Sequence, residues 1–141
     1  MLISRFCVAI PLVADIAAYL SSIQLALVGS PAIAHFDIVR SRGSTDSSYI
    51  RIRATLVNGD YLEAAEYCMV DGDDVVVVDY RYQWMDASRS TLIRRWDNTP
   101  HHPGLAGFPH HVHVGYETNV VPGHSWSLLE LLKFLEQELG V

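Results

Sequence analysis

Ser48-Tyr49-Ile50-Arg51-Ile52-Arg53-Ala54-Thr55-Leu56-Val57-Asn58-Gly59-Asp60-Tyr61-Leu62-Glu63-Ala64-Ala65-Glu66-Tyr67-Cys68-Met69 is the stretch that decides the fold. Ile50, Ile52, Ala54 and Leu56 alternate with Tyr49, Arg51, Arg53 and Thr55, the period of two expected of a half-buried strand. Asn58-Gly59 then signals a tight hairpin, because a type I′ turn needs positive φ at both central positions. Tyr61 to Met69 is the return strand. Pairing Val57 with Asp60 predicts Arg51 opposite Glu66 and Arg53 opposite Ala64, with Glu63 close by. Exposed strand charges of this kind form a solvated face in which each pair contributes little. Glu66 is the one member given a further part, as a substrate-binding residue.

The neighbouring segments extend the sheet. Asp71-Gly72-Asp73-Asp74 is a turn, too short and wrongly spaced for a calcium loop. Val75 to Trp84 is rich in β-branched and aromatic residues and reads as a central strand. Asp86 to Arg89 turns the chain into a strand from Thr91 to Trp96, with Leu92, Arg94 and Trp96 on one face and Ile93 and Arg95 on the other. Upstream, Arg42 to Ser47 is a polar loop and Ile33 to Val39 a short strand. Leu12, Ile16, Leu20, Ile23 and Leu27 form a helical stripe that Gly29-Ser30-Pro31 ends. Downstream, His111 to Val114 resumes alternation and Gly115 to Gly123 is irregular. Ser125 or Ser127 caps a last helix with the stripe Leu128, Leu131, Leu132, Leu135 and Leu139. The expected fold is α+β: an antiparallel sheet of about five to six strands in hairpins, packed by an N-terminal and a C-terminal helix.

A chain of 141 residues is expected to form a single domain over residues 1–141. Residues 1–11 read as a disordered extension or a start assigned too early. Phe6 to Ala14 after Arg5 faintly suggests a signal peptide, but Pro11 and Asp15 interrupt it. No apolar run is long enough to span a bilayer, so no membrane association is expected. Cys7 and Cys68 form no Cys-x-x-Cys pair, which argues against a zinc ribbon and fits a reducing, cytoplasmic setting. The net charge of −6 argues against a broad nucleic-acid coat protein. There is no internal repeat, P-loop or dinucleotide fingerprint.

Chemistry concentrates in the loop 97–113 and its flanks. Six of the seven histidines lie between 101 and 124, far more than even spacing would put there. Arg94 and Arg95 stand just upstream. Pro100, Pro103 and Pro109 stiffen the loop, which suits a platform for positioned side chains. Metal-free RNA cleavage needs one group to take the 2′-hydroxyl proton, another to protonate the leaving oxygen, and a cation on the phosphorane. The expected roles are His102 with His110 or His111 as acid and base, Arg95 on the phosphate and Asp97 orienting an imidazole. Arg94, Trp96, Asn98, His101, His113 and Glu66 are expected to contact substrate, with Trp96, Tyr80 or Tyr82 able to stack a base. No cofactor is required by this chemistry. Zinc or another divalent ion is an alternative, with His111 and His113, side by side on a strand, as its first ligands. Asp97 and Asn98 also suit plain turn chemistry.

The run Arg95-Trp96-Asp97-Asn98-Thr99-Pro100-His101-His102-Pro103, followed by Phe108-Pro109-His110-His111-Val112-His113, resembles the TumE family. The likeness extends from about Ile16 to Leu135 and takes in the Asn58-Gly59 hairpin and Tyr80-x-Tyr82. It implies the toxin of a bacterial or archaeal toxin–antitoxin pair, a ribonuclease acting on RNA and held by a helix-turn-helix antitoxin. Val112 stands where the family motif is expected to carry a lysine. The alternatives are a non-catalytic module that binds nucleic acid or antitoxin through Arg94, Arg95 and Trp96, and a metal-dependent hydrolase; a homodimer is compatible with each.

Overall fold

The computed structural model describes residues 15–141. The readings of residues 1–11, of the signal-like run from Phe6 and of Leu12 in the helical stripe lie outside the described residues. Helix α1 (Ile16–Gly29) is capped by the Asp15 carboxylate, which accepts from Ala18 N at 3.2 Å, and it buries Ile16, Ile23 and Leu27. Seven strands follow: β1 (Ile33–Gly43), β2 (Ser47–Leu56), β3 (Tyr61–Asp71), β4 (Asp74–Met85), β5 (Leu92–Asp97), β6 (His111–Val114) and β7 (Val120–Pro122). Helix α2 (Leu128–Leu139) closes the chain, with a Ser127/Glu130 capping box at its start and Gly140 in the left-handed region at its end. Each strand pairs antiparallel with its sequence neighbours, in the order β1-β2-β3-β4-β5-β6-β7.

The α+β architecture with two covering helices is the expected one, with one more strand than anticipated. The addition is β7, three residues from the segment read as irregular. Strand β1 also runs on to Gly43, into the segment read as a polar loop.

Both helices lie on one face of the sheet. Ile50, Ile52, Leu56, Leu62, Ala64, Tyr82, Trp96 and Val112 from the strands meet Ile23, Leu27, Leu128, Leu131, Leu132 and Leu135 there. The opposite face is polar in the middle of the sheet. Arg51 and Arg53 both reach Glu63, each at 3.0 Å, and Arg81 donates to Gln83. Among the described residues, no helix is long and apolar enough to cross a membrane.

The β2–β3 register differs from expectation by one residue. Arg51 pairs with Ala65 and Arg53 with Glu63, and Ile50 lies opposite Glu66. Gly59 has φ 93°, whereas Asn58 does not enter the positive region, so the turn is not type I′. Leu56 N bonds to Asp60 O at 2.8 Å and Gly59 N to Leu56 O at 2.9 Å, closing a three-residue loop with glycine in the last place. A slip of one residue moves a side chain to the other face. Glu66 therefore leaves the expected solvated face and enters the core at 1% exposure.

Candidate functional site

The short strands β5 and β6 build the site because they alternate in register. Arg95 pairs with His113 and Asp97 with His111, while Trp96 pairs with Val112 between them. Trp96 and Val112 point into the helix-covered core. Arg95, Asp97, His111 and His113 must then share the opposite face. The loop after β5 folds back over that face and brings down His102. Its ring centroid lies 4.9 Å from that of His111 and 6.0 Å from that of His113, and the latter two are 4.9 Å apart. One ring nitrogen from each of the three imidazoles falls within 4.8 Å of the other two.

Asp97 is the hub of this cluster. Its carboxylate stands 3.0 Å from His111 Nε2 and 3.6 Å from His113 Nε2, accepts from Arg95 Nε at 3.2 Å and caps Thr99 N at 3.0 Å. The other edge of each strand imidazole faces a carbonyl: His111 Nδ1 donates to Pro109 O at 3.0 Å, and His113 Nδ1 to Glu117 O at 2.8 Å. Arg95 Nη2 lies 3.2 Å from His113 Nε2 and 2.6 Å from Glu117 Oε2, and Arg95 Nη1 donates to Glu117 Oε1. The Glu117 bonds hold the guanidinium above its ordinary pKa, and Arg95 in turn holds the Glu117 carboxyl below the usual carboxylate range. Burial pushes the His113 imidazole below its ordinary value, and the adjacent guanidinium adds to the shift. His111 and His113 are buried; His102 is the half-exposed member.

The other expected site residues fall elsewhere. His110 precedes β6 on the opposite side from His111. It stacks on Tyr80, a core residue, at 5.8 Å between centroids, and its Nδ1 lies 2.8 Å from the Tyr80 hydroxyl. Burial, then the nearby His124, lowers its pKa. His102 and His111 are thus brought together, whereas His102 and His110 are not. His101 is exposed on the loop, outside the triplet. Arg94 faces the helix side, its guanidinium 5.3 Å from the centre of the Phe134 ring.

Trp96, expected to stack a base, is 1% exposed and packs against Trp126 and Phe134. Tyr80 and Tyr82 are buried in the same core and are closed to a base as well. Asn98 accepts from Tyr80 N at 3.1 Å and donates to Val78 O at 2.9 Å, so it stitches the start of the loop to β4.

Glu66 is a buried structural node rather than part of the open site. It accepts from the Tyr19 and Tyr82 hydroxyls at 2.5 and 2.8 Å, from Leu128 N at 2.7 Å and from the Cys68 thiol at 3.3 Å. The Leu128 amide belongs to the first turn of α2, where a negative charge suits the helix dipole. Burial and the Glu66 carboxylate raise the Tyr19 and Tyr82 hydroxyls and push the Cys68 thiol up to about 12.

Glu117 is the site residue that sequence reading missed. It sits in the β6–β7 connection and carries no motif; its one signal is a position four residues after His113. Gly107 and Gly123 hold this end of the fold close. With Gly107 at φ 82°, an added Cβ would sit 2.1 Å from Gly123 O, and one on Gly123 would press the His111 backbone.

No curated protein and no solved structure matches the chain. The family model described as toxin TumE matches residues 23–139, which take in the second half of α1, all seven strands, the histidine cluster and α2. The chain belongs to the TumE family of toxins.

Proposed function

We propose that this toxin arrests growth by cleaving RNA at the cluster of His102, His111 and His113, and that a helix-turn-helix antitoxin restrains it. The observation that carries the reading is the meeting of those three imidazoles, from two segments, beside the Asp97 carboxylate and the Arg95 guanidinium. RNA cleavage needs a proton acceptor for the 2′-hydroxyl and positive charge facing the phosphorane. The imidazole cluster offers the first, a protonated imidazole of the same cluster offers the proton that the leaving 5′-oxygen takes, and Arg95 offers the second. The Arg95 fork is occupied by the two oxygens of Glu117, a geometry that a phosphate can reproduce. Glu117 is 66% exposed, so it can yield to an incoming phosphate without disturbing the core.

The non-catalytic alternative has less support, since Trp96 is core and the Arg94 guanidinium lies over Phe134. The test is induced expression in a sensitive host, with growth and total RNA integrity followed together. Wild type should degrade RNA and stop growth, and His102→Ala should do neither. His101→Ala and His110→Ala should stay toxic. RNA left intact by a wild type that still stops growth would refute the proposal, as would a fully active His102→Ala.

A further inference from the structure

Resting on that reading of the site, we infer that His102, His111 and His113 hold a divalent ion of the zinc class, with Asp97 as its charge partner. Three features of the geometry point to this. Carbonyls fix the tautomers: Pro109 O and Glu117 O can only accept, so the Nδ1 atoms of His111 and His113 carry the protons. Their Nε2 lone pairs are thereby turned inward, the arrangement in which a backbone carbonyl orients a metal-binding imidazole.

Those lone pairs then confront an anion. His111 Nε2 stands 3.0 Å from Asp97 Oδ1, and two acceptors at hydrogen-bond distance repel unless a positive centre lies between them. A proton resolves only that one contact, while the His113 lone pair is met by Arg95 Nη2 at 3.2 Å. A divalent ion resolves it and also takes up the lone pairs of His102 and His113. The local charge agrees, since one guanidinium, Arg95, faces two carboxylates, Asp97 and Glu117, and a negative charge is left over.

Size and access fit as well. Ligand atoms around a tetrahedral zinc ion are about 3.3 Å apart, given zinc–nitrogen bonds near 2.0–2.1 Å. The three nitrogens lie within 4.8 Å of one another. His111 and His113 are fixed on β6, so His102, on the loop, is the one that closes in. Its half-exposed position leaves a side open for a phosphate oxygen, as in catalytic rather than structural zinc sites. Loading costs the Arg95–His113 contact, but Arg95 keeps its bonds to Asp97 and Glu117. With their lone pairs on the ion the imidazoles would no longer take the 2′-hydroxyl proton; the ion would supply that base as bound hydroxide and would add positive charge on a scissile phosphate to that of Arg95.

The experiment titrates metal-stripped, full-length protein with Zn2+, and with Co2+ as a spectroscopic probe. One ion should bind per chain, with Co2+ absorption characteristic of a low-coordinate nitrogen and oxygen site. His102→Ala and His113→Gln, checked for folding by circular dichroism, should each weaken binding by about tenfold or more, since even outer-shell losses cost that much. His101→Ala and His110→Ala should bind like wild type. Absence of stoichiometric binding, or binding indifferent to both cluster variants, overturns the inference. RNA cleavage measured on the same samples separates the two readings. Metal binding without cleavage leaves the ion site standing and sinks the ribonuclease. Full cleavage by stripped protein in chelator, with no stoichiometric binding on titration, does the reverse.

Discussion

Replacing Glu66 tests how the register of the β2–β3 hairpin governs the interior. Four donors converge on this side chain: the Tyr19 and Tyr82 hydroxyls, Leu128 N and the Cys68 thiol. Truncation to Ala strands them unequally. Tyr82 keeps Trp126 O at 3.1 Å, and half-buried Tyr19 can turn to water. Leu128 N–H sits in the first helical turn, where no intrahelical acceptor exists. One buried donor left unpaired costs about 1–3 kcal/mol, and the hole left in a packed core adds to it, so Glu66→Ala should lose about 3–5 kcal/mol. Glu66→Gln keeps the shape, and Leu128 N–H, which can only donate, forces the amide oxygen into the Oε2 place. The amide nitrogen then faces the Tyr19 hydroxyl and Cys68, for a loss of about 1–2 kcal/mol. Urea unfolding at unchanged m-value reads both numbers. Growth inhibition per folded molecule should not change. A Glu66→Ala variant within about 1 kcal/mol of wild type would refute the node, as would a Glu66→Gln variant that is stable but harmless.

Two further outcomes are expected. Gly107→Ala places a Cβ 2.1 Å from Gly123 O at a positive φ; it should lower stability by about 2–4 kcal/mol through strain and overpacking and weaken toxicity by shifting the histidine loop, and an unchanged urea midpoint would contradict this. Burial raises the Glu63 carboxyl, but the bonds from Arg53 and Arg51 outweigh it and hold the pKa below its ordinary 4.5. A depressed carboxylate contributes stability that is present above 4.5 and lost as pH falls through the folded value. The fall in the urea midpoint below pH 4.5 should therefore be shallower in Glu63→Gln than in wild type, and an identical fall would show that the ion pairs contribute nothing.

The hydrophobic alternation of Ile50, Ile52, Ala54 and Leu56 was enough to identify the sheet and its buried face, because burial enforces the period of two. The Asn58-Gly59 pair located the hairpin but not its length. Two-residue and three-residue loops share that dipeptide, and the difference of one residue sent Glu66 to the opposite face. His111-Val112-His113 announced two imidazoles on one face, and the same alternation places His110 on the other. The loop contact of His102 depends on how three prolines route the chain, which no periodicity records. Strand β7 is too short for a pattern, and Glu117 reaches Arg95 only through the turn that precedes β7.

The order of the sheet has a consequence for synthesis. Because every strand pairs only with its sequence neighbours, the sheet can zip together as the chain leaves the ribosome. Its interior anion is different, since the amide that caps it lies 62 residues further on. At bacterial and eukaryotic translation speeds that delay is roughly 3–12 s. For that interval the nascent toxin carries its strands without the helix that seals them, so its final form is timed by the arrival of α2.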